Sequence, residues 1–171
     1  NESLTAYFYK NLDKVNKNSL CPLPQEFIWY SSEVLNSFVF AENYFENIDG
    51  KLNEKILGQQ FLEAQEKSTT EKKKVFKDIG DTALVQLGFF SERVTKKSVP
   101  ESYYIHLGKS AYAQMESLNC RFYDIPNFFN LFSSSFESMI SLLGVMKEST
   151  KFETMEDYIL EVAKVDKNKV C

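Results

Sequence analysis

One histidine, His106, in a chain of 171 residues removes most metal and acid–base chemistry at the outset. Zinc sites draw on clustered Cys and His ligands, and the di-iron centres of helical bundles need Glu-x-x-His twice. Neither set is available, so the acidic pairs Glu63/Glu66 and Glu153/Asp157, although at helical spacing, read as solvated faces. Cysteine is equally sparse: Cys21, Cys120 and Cys171 are odd in number, far apart and without a CxxC pair. That excludes a disulfide framework and leads to the expectation of reduced thiols in a cytoplasmic protein. With 6 Gly and 4 Pro there is no Gly-rich phosphate or dinucleotide loop and no flexible or Pro-rich linker, so residues 1–171 are expected to form a single domain. No stretch reaches about 18 consecutive apolar residues, the length of a transmembrane helix. Basic charge is also short, with 20 Lys and Arg against 24 Asp and Glu; a net charge of −4 repels a phosphate backbone, and no nucleic-acid partner is expected. The basic run EKKK at 71–74 reads as a solvated helix face.

What the sequence does have is apolar residues at helical spacing. They recur at i, i+3, i+4 and i+7 through nearly every segment, and almost nowhere with period two, which predicts an all-α fold, an irregular bundle of six or seven helices. The first helix starts at Ser3 as N-cap and carries Leu4, Phe8, Leu12 and Val15. The second starts at Pro24 and runs to a break at Asp49-Gly50, with Phe27, Ile28, Val34, Leu35, Phe38 and Phe45 as its stripe. A third covers roughly 53–66, and a fourth opens on a capping box, Ser68 with Glu71. A fifth, with Pro100 in its first turn, carries Tyr104, Leu107, Gly108, Ala111, Met115 and Leu118. A sixth spans about 126–143, and a last opens at Thr154 with Asp157.

The fourth helix contains DIGDTALVQLGFF, residues 78–90, where two glycines and an aspartate interrupt the apolar pattern. At about 100° per residue, Gly80 falls on the same face as Phe76, Ala83, Leu84 and Leu87. A buried glycine costs about 1 kcal/mol of helix propensity, and close approach of a second backbone, notched at Gly108 and Ala111, is the expected compensation. Asp81 and Gly88 flank that crossing. Asp81 is then a polar lock hydrogen-bonded by Tyr104 or Tyr112, a ligand-binding carboxylate with those tyrosines, or the cap of a helix restarted at a break.

Aromatic residues make up 15% of the chain, and the second helix carries them on both sides. Trp29, Phe40 and Tyr44 project away from the Phe38 stripe. Either that helix is central and buried all round, or these three form an exposed partner-binding strip. His106 lies across its helix from the apolar stripe, beside Lys109 and Glu116, and reads as a surface residue. No Ser–His or Cys–His arrangement is recognisable from spacing, so no catalytic residue, cofactor or metal is expected.

The pattern Gly80-Asp81-x-Ala83-Leu84, Gly88-Phe89-Phe90, Tyr103-Tyr104, Gly108 and Ala111-Tyr112 resembles an uncharacterised family of helical bacterial proteins. The resemblance covers about residues 56–116, a third of the chain. It departs at Gln86-Leu87, where the family has a small residue. It implies a bacterial source and an all-helical fold, and carries no activity, cofactor or catalytic residue. The sequence thus reads as a non-enzymatic interaction or adaptor module with a protein partner or self-association. A small-molecule or lipid-binding helical domain with an aromatic-lined pocket is the alternative, and an enzyme assembled from residues distant in sequence is a third.

Overall fold

The chain starts helix α1 (Leu4–Lys17) where Ser3 Oγ accepts the Ala6 N–H at 3.1 Å, and it buries Phe8 and Leu12. In this computed structural model, residues 3–38, 45–48, 51–54, 56–95 and 99–150 are described; Phe40, Tyr44, Cys171 and the Thr154–Asp157 box lie outside them. The turn out of α1 is organised by buried Asn16. Its side-chain amide donates to the Leu23 carbonyl at 2.9 Å and accepts the Leu23 N–H at 2.8 Å, folding the chain back through Pro24 into α2 (Gln25–Ser37).

Helix α2 stops twelve residues short of Asp49, since its last residue is Ser37. Phe45, expected on its stripe, begins strand β1 (Phe45–Ile48), which pairs antiparallel with β2 (Lys51–Glu54). The residues between paired Ile48 and Lys51 are Asp-Gly, a strong hairpin signal that also breaks a helix, so the two meanings are hard to separate from sequence. The third helix is correspondingly shorter, α3 (Leu57–Ala64).

Helix α4 (Thr69–Phe89) opens on the expected capping box, with Ser68 and Glu71 bonding each other's backbone. From Ile79 to Phe89 every residue is buried, and this helix, rather than α2, is the central one. After the short α5 (Ser91–Thr95), α6 (Glu101–Ser117) follows Pro100 and packs along α4. The expected single helix at 126–143 is two: α7 (Phe128–Ser134) and α8 (Phe136–Ser149), bent by 68°. The bend falls in a run of three serines, where the Ser133 and Ser134 hydroxyls bond backbone carbonyls of Lys109 and Asn130. Phe128 and Phe132 of α7 pack against Phe27 and Tyr30 of α2, while α8 buries Phe136, Met139 and Leu143, the last against Gly88 of α4. The result is an all-α helical bundle with one small hairpin. Among the described residues no single helix is long and apolar enough to cross a membrane.

The glycines do mark close packing, but they seat side chains. A Cβ on Gly80 would lie 2.8 Å from the Tyr112 ring, and one on Gly108 would lie 2.4 Å from Cζ of Phe136. The α4–α6 crossing is therefore keyed by the Tyr112 ring set against Gly80, and the α6–α8 contact by the Phe136 ring set against Gly108, not by two notched backbones. The close backbone approach occurs between α4 and α8, where a Cβ on Gly144 would sit 3.9 Å from the Gly88 carbonyl oxygen.

Candidate functional site

Asp81 sits at the junction of three helices and is 4% exposed. Tyr30 on α2 and Tyr112 on α6 both donate to its Oδ1, at 2.5 and 2.8 Å, and Lys77, one turn earlier on α4, pairs with Oδ2. The Lys77 ammonium also lies 5.4 Å from the centroid of the Tyr30 ring. A carboxylate with both oxygens engaged is a polar lock, the first of the three roles open in the sequence. The predicted partner Tyr112 is present, and Tyr30 was missed. Tyr104 lies two helical turns from Tyr112, half-buried and edge-on to Tyr103 at 5.8 Å.

Burial, and then the Asp81 charge, push the Tyr30 and Tyr112 hydroxyls well above the ordinary tyrosine range. In the unfolded chain both titrate near pH 10, so above that the unfolded state releases protons first and gains. The stability they contribute is intact below about pH 10 and is lost as pH rises through their folded values. The urea midpoint should therefore fall steeply above about pH 10 and less steeply in Tyr30→Phe, and a flat wild-type midpoint from about pH 9 to 11 would refute the lock.

Directly beside the lock is a groove of about 550 Å³ between α2, the first half of α4 and the α6–α7 loop. Tyr30, Val34, Met115, Phe122 and Phe129 give it an apolar floor. Its charged residues are Lys73, Lys74 and Lys77 from α4 and Arg121 from the loop, against one carboxylate, Glu33. On the α4 wheel Lys73, Lys77, Asp81 and Lys74 share a sector of about 100°, so the three lysines and the buried aspartate are one face of one helix.

The loop that supplies Arg121 is conformationally unusual. Asn119, Tyr123 and Asn127 are left-handed, at φ 58°, 51° and 57°. Asparagine tolerates this region, whereas for Tyr123 it costs about 1–2 kcal/mol. Anchors hold the loop there: the Cys120 N–H donates to the Met115 carbonyl at 2.9 Å, and Glu116 Oε2 accepts the Phe129 N–H at 3.1 Å. Phe122 is wedged between Tyr30 and Phe128, at ring distances of 5.1 and 4.6 Å. Tyr123 in turn accepts from Trp29 Nε1 at 3.4 Å and donates to Glu33 Oε1 at 3.3 Å. Strained backbone held by its surroundings clusters at binding sites.

Trp29 is thus half-buried, with the Tyr9 ring edge-on at 5.5 Å. Its proposed companions in a strip, Phe40 and Tyr44, lie outside the described residues. His106 is exposed, as its wheel position predicts. Cys21 is exposed and Cys120 half-buried, both free thiols. Among the described residues no three of His, Cys, Asp and Glu come together as metal ligands. A second cleft of about 650 Å³ lies between α1 and α8, with Val15, Leu20, Leu142 and Val145 in its walls and Lys14 its one ionisable residue.

The groove residues Arg121, Phe122 and Phe129 went unrecognised in the sequence, and the lysines were read as a solvated face. The available signal was the shared sector of Lys73, Lys74, Lys77 and Asp81. No family model matches the chain, and neither the curated proteins nor the solved structures contain a match.

Proposed function

We propose that this chain is a non-enzymatic binding module, bacterial as its sequence pattern implies, that takes an acidic surface of a protein partner, or of a second copy of itself, into the groove beside Asp81. The observation that carries this is a concentration of four cations, Lys73, Lys74, Lys77 and Arg121, over an aromatic floor in a chain of net charge −4. Such local complementarity steers encounter and selects partners even when the whole molecule has the opposite sign. The buried tyrosines support a binding role over a catalytic one, because their hydroxyls are committed to Asp81 and held protonated.

Lys74 and Arg121 are exposed, so reversing both, Lys74→Glu with Arg121→Glu, leaves packing intact. A partner retained from extract by the immobilised wild-type chain at low salt, and released as salt rises, should be lost with the double variant. Equal retention by both proteins would contradict the reading. A second reading, an amphiphilic small molecule or lipid, is favoured by one observation: the groove's volume of about 550 Å³ lies within the usual range of ligand pockets, about 300–1,000 Å³. Native mass spectrometry of the purified chain would show such a ligand as a discrete added mass.

A further inference from the structure

We infer that the element received by the groove is an acidic peptide segment with a large apolar side chain, which rests on Phe122 and Phe129 while carboxylates on either side meet the two basic walls. This rests on the proposed binding role and narrows it. Lys73 and Lys74 stand on α4 and Arg121 stands on the loop, so an occupant meets positive charge from two separate elements. Lys77 is already paired with Asp81, which leaves the other three to bind. A segment carrying carboxylates on both sides of a single apolar residue matches that distribution, with its backbone running between the walls. The floor calls for the apolar residue: Tyr30, Val34, Met115, Phe122 and Phe129 offer an occupant no charge, and the Tyr30 hydroxyl is already given to Asp81, so a purely ionic occupant would leave the space above them filled with water.

An anionic membrane fits less well. Its headgroups form a broad plane that meets outward-facing cations, whereas these line a concavity, and the net charge of −4 opposes approach to a negative surface. Nucleic acid is disfavoured by the same charge.

The test is a fluorescence-anisotropy titration of the full chain with three labelled synthetic peptides of equal length. One alternates Glu with a central Phe, the second has every Glu replaced by Gln, and the third keeps Glu but has Ala for Phe. Trp29, the only tryptophan in the chain, is bonded to Tyr123 of the loop that carries Arg121 and supplies an intrinsic signal of the same event. The Glu/Phe peptide is expected to bind at least about tenfold more tightly than either relative, to weaken with salt, and to lose that advantage with Lys74→Glu/Arg121→Glu. Equal binding of the Gln peptide, no binding of any peptide, or tighter binding of phosphatidylglycerol vesicles through the same two cations would overturn the inference. If the Gln peptide binds equally while the double variant still fails to retain the partner from extract, the acidic-segment inference falls and the groove remains the binding site. If the double variant changes neither partner retention nor peptide binding, both fall.

Discussion

Gly80→Leu should lower the unfolding free energy by about 3 kcal/mol, although leucine is the better helix former by about 1 kcal/mol. Even the first added carbon would lie 2.8 Å from the Tyr112 ring, inside van der Waals contact, and Tyr112 is fully buried among Phe129, Phe132 and Phe136. With the ring enclosed by these aromatics, relief is expected from separating α4 and α6. That movement also draws the Tyr112 hydroxyl, now 2.8 Å from Asp81, off the lock. Gly80→Ala should already cost stability despite alanine's propensity. Urea unfolding of the two variants checks this, and a leucine variant as stable as wild type would show that Gly80 seats nothing.

The second large effect is expected at Asp81. Asp81→Ala removes the acceptor of two fully buried tyrosine hydroxyls and the partner of Lys77. Stranding buried donors costs about 1–3 kcal/mol each, so a loss of about 3–5 kcal/mol is expected, a large share of the about 5–15 kcal/mol that holds a typical domain. Asp81→Asn keeps a carbonyl acceptor at the site and should lose less. The loss should also be non-additive: in an Asp81→Ala/Tyr30→Phe cycle the second change costs less once the first is made, because the stranded donor has gone. Additive losses in guanidinium unfolding would mean that the hydroxyl and the carboxylate do not stabilise each other.

How much of this was legible in the sequence depended on whether a signal was local. The Ser3 and Ser68 caps, Pro24 and Pro100 at helix starts, and the α4–α6 pairing all follow from residues within a few positions of each other or from one wheel. The outward His106 and the donation of Tyr112 to Asp81 were legible for the same reason. Tyr30 is 51 residues from Asp81, and nothing in its own segment marks it as different from the phenylalanines around it. The helix breaks in the serines at 133–135, where the Ser133 and Ser134 hydroxyls reach particular carbonyls, one of them on α6, and a sequence pattern does not show that. Asp49-Gly50 misled because the same dipeptide ends helices and turns hairpins.

The basic face shows the limit most clearly. EKKK was visible, but whether lysines face open solvent or line a concavity depends on what stands opposite, and Arg121 is supplied by a loop nearly fifty residues away. That loop is shaped by a left-handed tyrosine pinned through Phe122, a conformation with no sequence signature. The glycines tell a related story. Their burial was readable from the wheel, while the partner, a ring at Gly80 and Gly108 and the Leu143 side chain at Gly88, was not.

The central claim is that partners enter the groove over Asp81, and not the α1–α8 cleft. Hydrogen–deuterium exchange of the full chain with and without an excess of the Glu/Phe peptide tests it most directly. Slowed exchange confined to the loop amides at 119–122, the α2 end at 33–37 and the α4 stretch at 73–77 is the predicted result, since these stretches form the groove walls. Slowed exchange at 11–20 and 142–150 instead, or an unchanged pattern at saturating peptide, would contradict it.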